Sequence, residues 1–133
     1  MEKPLKFMVV DDEADICEYV KEVIEKKGGI GFSTTDGREA LEIWERERPD
    51  VNVIDIHMPY SSLDGLELLA KIREKDSDSV CVILTCMDDE ETIRRAKTLG
   101  ANHYITKPIG LRELEEVLDN ILNIVKHNKA EGE

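Results

Sequence analysis

The segment Val51-Asn52-Val53-Ile54-Asp55, near the middle of the chain, is a short and mainly apolar run that ends on a carboxylate. Short continuous runs rich in β-branched residues are typical of strands buried on both faces of a parallel sheet. A buried carboxylate without a partner is costly, so Asp55 requires a partner or a ligand. The segment therefore predicts a central strand with a functional group at its carboxyl end.

Four more strand-like segments flank this one, and a helical pattern follows each of the five. Residues 7–10 and 80–84 are apolar runs, whereas residues 30–34 and 103–106 are less apolar and are expected at the edges of the sheet. The helical patterns cover residues 14–27 and 37–48, begin near residues 65 and 88, and end with residues 111–126. Strands joined by crossover helices lie parallel, with right-handed connections. The order predicts a doubly wound α/β sandwich with five parallel strands and helices on both faces.

Length and charge restrict the possible functions. The chain has 133 residues, which predicts one domain over residues 1–127 and a disordered tail over residues 128–133. The formal net charge of -12 disfavours direct binding to nucleic acid or to anionic lipid. No apolar window is long enough to insert into a membrane, and residues 1–4 do not resemble a signal peptide.

The three cysteines, Cys17, Cys81 and Cys86, show no metal-ligand spacing. Cys17 falls in a helical pattern and Cys81 in a strand, so both are expected to be buried free thiols. An odd number of cysteines without an export signal favours a reducing, cytoplasmic location.

Polar side chains collect where the predicted strands end. Asp11 and Asp12 follow the first strand, Asp55 the third, Thr85 the fourth and Lys107 the fifth. In an open parallel sheet, ligands bind beyond the carboxyl ends of the strands. Two carboxylates ~4 Å apart repel by roughly 4 kcal/mol at an effective dielectric near 20, and a divalent cation offsets this. Oxygen ligands favour magnesium, with manganese as the alternative, over zinc.

A metal ion, an ammonium group and a hydroxyl around one carboxylate are what phosphoryl transfer to that carboxylate requires, because positioning and charge neutralisation supply most of the catalysis. Simpler interpretations exist for two of these parts, but not for the carboxylate that follows the third strand. Asp11 and Asp12 alone would serve as a helix cap, and Lys107-Pro108 alone is a common loop dipeptide. Because all these polar residues occur at the ends of successive strands, a common functional site is favoured over separate structural roles.

Two other classes of protein use similar parts. An aspartate-nucleophile phosphatase also has acidic strand ends and a lysine, but usually places a second aspartate two residues after the nucleophile, where this chain has His57. A flavodoxin-like cofactor-binding protein needs a Ser/Thr/Gly-rich phosphate loop after the first strand, and the acidic residues 11–13 have the wrong charge for it.

Four motifs resemble the bacterial response-regulator receiver family, and the resemblance covers nearly the whole chain. They are residues 9–13, residues 55–59 followed by Asp64-Gly65, residues 83–85, and residues 104–108. The resemblance implies the flavodoxin-like strand order 2-1-3-4-5, which is that of the chemotaxis member of the family.

The resemblance also implies roles for individual residues. Asp55 would be the phosphoacceptor and a ligand of Mg²⁺. Asp12 would bind the metal directly, Asp11 would act through a water, and the backbone carbonyl of His57 would complete the protein ligands.

Further roles concern the phosphoryl group and the response to it. Thr85 and Lys107 would hold the phosphoryl oxygens, and Tyr104 would be an aromatic rotamer switch. Phosphorylation would change the surface formed by the fourth helix, fifth strand and fifth helix. The chain would catalyse its own phosphorylation and dephosphorylation without being a turnover enzyme.

The implied partners are a sensor histidine kinase or a histidine phosphotransfer protein, and a downstream protein target. A small phosphodonor is an alternative source of phosphate. The oligomeric state stays open, with a phosphorylation-dependent dimer as one option.

The chain departs from the family pattern at two places. The loop at residues 60–63 is longer than usual, and Cys86 stands where the family has a very small residue.

Overall fold

The computed structural model describes the backbone of residues 3–132 and the side chains of residues 3–128. Five strands alternate with five helices along the chain. The strands are β1 (Lys6–Val10), β2 (Ile30–Thr34), β3 (Val51–Ile54), β4 (Val80–Thr85) and β5 (His103–Thr106). The helices are α1 (Ala14–Lys26), α2 (Gly37–Glu47), α3 (Gly65–Lys75), α4 (Glu90–Thr98) and α5 (Leu111–Gly132).

The strands form one parallel sheet, as the sequence pattern predicts, and their order is β2-β1-β3-β4-β5, as the family resemblance implies. β1, β3 and β4 are almost fully buried, whereas β2 and β5 are more exposed and lie at the edges. The more apolar segments are therefore the central strands of the sheet, and the less apolar segments are its edge strands.

Alternate residues of the central strands build two cores, one on each face of the sheet. On β1, Phe7 and Val9 pack beneath α1 and α5, whereas Met8 and Val10 pack beneath α2 and α3. Because every central strand is covered on both faces, its carboxyl end is the place where a buried polar side chain can still reach an opening.

The buried thiols agree with the sequence-based expectation. Cys17 and Cys81 are buried and free, and Cys86 is free and exposed. No helix among the described residues has the length and apolar character that crossing a membrane requires.

Helix α4 is held more weakly than its neighbours. Its buried residues are Thr92 and Ala96, while Ile93 and Leu99 stay partly exposed. Each of the other helices buries at least two large apolar side chains in one of the two cores. Few buried apolar contacts predict a low free energy of local opening for α4.

The end of the chain differs from the prediction. The sequence predicts that the last helix ends at residue 126 and that residues 128–133 are disordered, whereas α5 continues to Gly132. Residues 126–131 contain lysine, alanine and glutamate and no proline, so local helix propensity supports the extension. Residue 133 lies outside the described residues.

Candidate phosphoryl-acceptor and metal site

Backbone hydrogen bonds beyond the strands fix the first two carboxylates. The N–H of Asp55 donates to the carbonyl of Val10 at 2.8 Å, and the N–H of Asp11 donates to the carbonyl of Thr34 at 3.2 Å. These bonds continue the ladders of the sheet past its last strand residues. They bring the ends of β1 and β3 together at one edge.

Three carboxylates meet at that edge. One oxygen each from Asp11, Asp12 and Asp55 lies within 4.8 Å of the other two. Asp11 and Asp55 are 2% and 4% exposed, and Asp12 is half-buried. The cluster offers only oxygen donors of high charge, which suits a hard divalent cation such as Mg²⁺ and leaves further positions for water. The donor set therefore fits the predicted metal.

Lys107 lies in the middle of the acidic residues. Its Nζ is 2.6 Å from Oδ2 of Asp11, 3.3 Å from Oδ2 of Asp55 and 3.3 Å from Oε2 of Glu13. Burial disfavours the charged amine, but the hydrogen bond to Asp11 and the charges of Asp11 and Asp55 outweigh it and raise the pKa of Lys107. The side chain is thus a permanent cation whose N–H donors serve three carboxylates.

Burial acts on Asp11 in the opposite sense. Loss of solvent raises the pKa of Asp11 to about 6, and the charge of Asp55 adds to this, while the hydrogen bonds from Lys107 and from the Glu13 N–H offset part of it. Without a metal ion, the negative charge of ionised Asp11 beside that of Asp55 therefore lowers the free energy of unfolding.

This raised pKa predicts how the stability of the metal-free protein depends on pH. Between pH 3.8, the ordinary value for Asp11, and about 6, the native state binds more protons than the unfolded state. The free energy of unfolding then falls as pH rises. We expect lowering the pH from 7 to 5 to stabilise the wild type by about 1 kcal/mol relative to Asp11→Asn, measured by urea denaturation in EDTA. Parallel pH profiles for the two proteins would contradict a raised pKa at Asp11.

Thr85 and Tyr104 meet at the loop that follows β4. The fully buried Oγ1 of Thr85 accepts a hydrogen bond from the N–H of Met87 at 3.4 Å, and the hydroxyl of the half-buried Tyr104 donates to the carbonyl of Met87 at 2.5 Å. Met87 thus connects the hydroxyl at the end of β4 to the aromatic ring on the edge strand β5.

An open cavity of about 550 Å³ lies beside the carboxylates. Asp12, Asp55 and Lys107 belong to its polar part, and much of its wall consists of apolar residues from α1 and from the segment around the start of α5. These apolar residues are Ile16, Tyr19, Val20, Pro108, Ile109 and Leu114. Asp55 therefore faces an open cavity with an apolar wall.

The structure brings the predicted site residues to one edge, but their chemical roles stay predictions. His57 is exposed, and its backbone N–H donates to Oδ1 of Asp55 at 3.0 Å. Cys86 is exposed and lines the cavity near Lys107.

The sequence did not predict two features of the site, the contact of Glu13 with Lys107 and the apolar wall of the cavity. Glu13 contacts Lys107, although its place directly after Asp11-Asp12 was a signal for it. The apolar cavity wall could not be found in the same way, because α1 and α5 lie far apart in the chain.

Comparison with known proteins agrees with this geometry. Residues 7–119 match the family model described as "Response regulator receiver domain". The chain is 36% identical over 130 residues to the probable transcriptional regulator ycf27 of Guillardia theta, covering 98% of this chain and 49% of that relative. It is 31% identical over 117 residues to sporulation initiation phosphotransferase F of Bacillus subtilis, covering 88% and 93%. The chain thus spans about half the length of the transcriptional regulators among its relatives.

Solved structures share the fold. A receiver domain protein described as CheY-like, from Methanospirillum hungatei, superposes with a TM-score of 0.85 at 23% identity, covering 97% of this chain and 99% of that one. NtrX from Brucella abortus gives a TM-score of 0.86 at 28% identity, covering 98% and 29%. The matches leave the phosphatase and flavodoxin-like interpretations without support. The chain belongs to the response regulator receiver domain family, the phosphorylation-activated signalling domains of two-component systems.

Proposed function

We propose that Asp55 is the phosphoacceptor of this receiver domain and that Asp11, Asp12, Asp55 and the backbone carbonyl of His57 hold Mg²⁺ beside it. The observation that carries the proposal is the meeting of three carboxylate oxygens within 4.8 Å of one another, with Lys107 at 3.3 Å from Asp55. Neither a helix cap nor a surface ion pair needs three carboxylates at the carboxyl edge of a parallel sheet.

The reaction is a phosphoryl transfer to a carboxylate oxygen of Asp55. A P–O bond forms to this oxygen while the bond from phosphorus to the donor breaks, which is P–N in phosphohistidine and P–O in acetyl phosphate. The leaving imidazole or acetate keeps the electron pair of that bond. Mg²⁺, when bound, neutralises charge on the transferred oxygens.

The residues of the chain hold the product. The ammonium of Lys107 would exchange its contact with Asp11 for a phosphoryl oxygen, and Thr85 would donate its hydroxyl to another. The N–H of His57 already donates to the Asp55 carboxylate, which helps to hold the nucleophile in one orientation. Attack of water on the phosphorus of the acyl phosphate would release phosphate and return the Asp55 carboxylate. The domain would thereby catalyse its own phosphorylation and dephosphorylation without being a turnover enzyme.

The donor and the output are part of the same proposal. The apolar wall beside Asp55 fits a protein that presents a phosphohistidine, either a sensor kinase or a phosphotransfer protein, in the cytoplasm. The chain covers nearly all of a relative named as a phosphotransferase, which supports phosphate relay. The weakly held α4 supports an output through the surface of α4, β5 and α5, including a phosphorylation-dependent dimer or a downstream protein target.

Removal of the metal ion is expected to abolish phosphorylation. Intact-mass measurement with acetyl phosphate and Mg²⁺ should show one added phosphoryl group, and excess EDTA should prevent it. Asp12→Ala should weaken Mg²⁺ binding more than Asp11→Ala, because Asp12 is the proposed direct ligand and Asp11 acts through water. Undiminished labelling in excess EDTA would rule out the metal role.

A further inference from the structure

The central part of the long loop between β3 and α3 is attached to the N-terminus of α2. The hydroxyl of the half-buried Ser61 accepts hydrogen bonds from the N–H of Gly37 at 2.8 Å and from the N–H of Leu63 at 3.3 Å. Its single proton faces the carbonyl of Leu63 at 2.6 Å and Oδ1 of Asp36 at 3.1 Å. One hydroxyl therefore connects the loop to the first residues of α2.

Asp36 uses its two oxygens for different purposes. Oδ2 caps α2 by accepting from the N–H of Glu39 at 3.1 Å, while Oδ1 faces the hydroxyl of Ser61 and the N–H of Ser62, the latter at 3.3 Å. The bond from Glu39 and the loop donors lower the pKa of Asp36. The carboxylate is thus charged at neutral pH, which strengthens the bonds it accepts.

Backbone packing holds the loop at both attachments. A Cβ on Gly37 would lie 2.1 Å from the carbonyl oxygen of Leu63, and a Cβ on Gly65 would lie 2.2 Å from the carbonyl oxygen of Asp55. Only glycine permits these two approaches. The far end of the loop therefore rests against the acceptor residue itself, and its middle rests against α2.

The first part of the loop carries the atoms that the site uses. The N–H of His57 donates to Asp55, and the His57 carbonyl is the proposed metal ligand. The buried side chains of Ile56 and Met58 flank it. The turn that follows brings the N–H of Ser61 to the carbonyl of Met58 at 3.1 Å. Ser61 is therefore four residues from His57 and hydrogen-bonded to the residue that follows His57.

We propose that Ser61 and Asp36 are positioning residues that hold the β3–α3 loop in the conformation that binds Mg²⁺, with His57 directed at the acceptor site. The proposal rests on the function proposed above. The extra length of the loop at residues 60–63 thus attaches it to the N-terminus of α2 through hydrogen bonds. Tyr60 is exposed at the turn of this loop. If the binding-competent fraction of loop conformations falls, the apparent affinity for Mg²⁺ falls by the same factor.

The test is Mg²⁺ affinity of the unphosphorylated protein, measured by calorimetric titration. Loss of a residue that orients metal ligands typically costs 10–100-fold in metal affinity, so we expect Ser61→Ala to weaken Mg²⁺ binding about tenfold. Ser61→Thr keeps the hydroxyl and should restore most of the affinity. Ser62→Ala is the matched control, because its hydroxyl makes only an exposed contact of 3.4 Å to Asp36.

A second readout separates positioning from general stability. Amide hydrogen exchange at residues 56–58 should become faster in Ser61→Ala, while exchange in the central strands stays unchanged. Lowered thermal stability with wild-type Mg²⁺ affinity would overturn the proposal, as would wild-type exchange at residues 56–58.

A further variant keeps the test valid if Ser61→Ala does not fold. Asn caps helices as well as Asp does, so Asp36→Asn should leave α2 intact while weakening the bonds to the loop. Weaker Mg²⁺ binding by this variant is expected, and unchanged binding would overturn the role of Asp36. Failure of the wild type itself to bind Mg²⁺ would instead contradict the metal site proposed above.

Discussion

Asp55→Asn is expected to eliminate phosphorylation by acetyl phosphate and Mg²⁺, with no residual labelling at long incubation. The amide nitrogen that replaces one carboxylate oxygen is not a nucleophile, and the remaining oxygen is a weaker metal ligand. The substitution is nearly isosteric, so the N–H of His57, now 3.0 Å from Oδ1 of Asp55, keeps an acceptor. The fold should therefore persist while the reaction is lost.

The same variant should be at least as stable as the wild type without metal. Removing one negative charge relieves repulsion among Asp11, Asp12 and Asp55, and Lys107 keeps its shorter contact with Asp11. Thermal unfolding in EDTA measures this. Asp119→Asn is the matched control, because Asp119 is a surface carboxylate paired with Lys27 at 2.7 Å, and it should be labelled like the wild type. Equal labelling of Asp55→Asn would contradict the assignment of the acceptor.

The second large effect concerns the distant response to phosphorylation. We expect a beryllofluoride mimic of the phosphoryl group to shift the NMR signals of amides throughout residues 85–104, well beyond direct contact with Asp55. The Thr85 hydroxyl would turn toward the mimic and pull the segment that carries Met87. Since the hydroxyl of Tyr104 is bonded to the carbonyl of Met87, ring and segment should move together.

The weak attachment of α4 explains why this response can spread. With Thr92 and Ala96 as its buried residues, α4 has little packing energy opposing a shift. Binding of the mimic at Asp55 can therefore shift the equilibrium between two positions of α4. The size of the shift is set by the difference between the mimic's affinities for the two states.

Thr85→Ala tests the proposed route of the response. The variant should still accept a phosphoryl group at Asp55 but lose most of the shift changes at residues 87–104. Thr85→Ser keeps the hydroxyl and should retain them. If shifts in the wild type stay confined to the loops around Asp11, Asp55 and Lys107, the chain is a phosphate carrier without this switch, and phosphate relay becomes the favoured function.

The fold could be predicted because local pattern and tertiary position agree along most of this chain. The runs at residues 51–54 and 80–84 are apolar on both faces because both faces are covered, and parallel strands must end at a common edge. Asp11, Asp55 and Lys107 could be placed together on that argument alone. Their identity as parts of one site needed no information about side-chain conformation.

Other features could not be predicted because they depend on contacts between distant segments. Nothing local indicates that Ser61 bonds to Gly37, or that Lys107 lies closer to Asp11 than to Asp55. The extension of α5 over residues 128–132 is not predicted from the sequence because this polar segment has no apolar stripe to mark it. Periodicity detects buried helical faces and not solvated helical ends.

The central claim is that the phosphoryl group resides on the carboxylate of residue 55. Its most direct test is borohydride trapping of the protein after treatment with acetyl phosphate and Mg²⁺, followed by peptide mass mapping, because borohydride reduces an acyl phosphate to an alcohol. We expect reduction at a single residue, Asp55, and no reduction when EDTA is added first. Reduction at another aspartate, or a stable phosphate that resists borohydride, would contradict the claim.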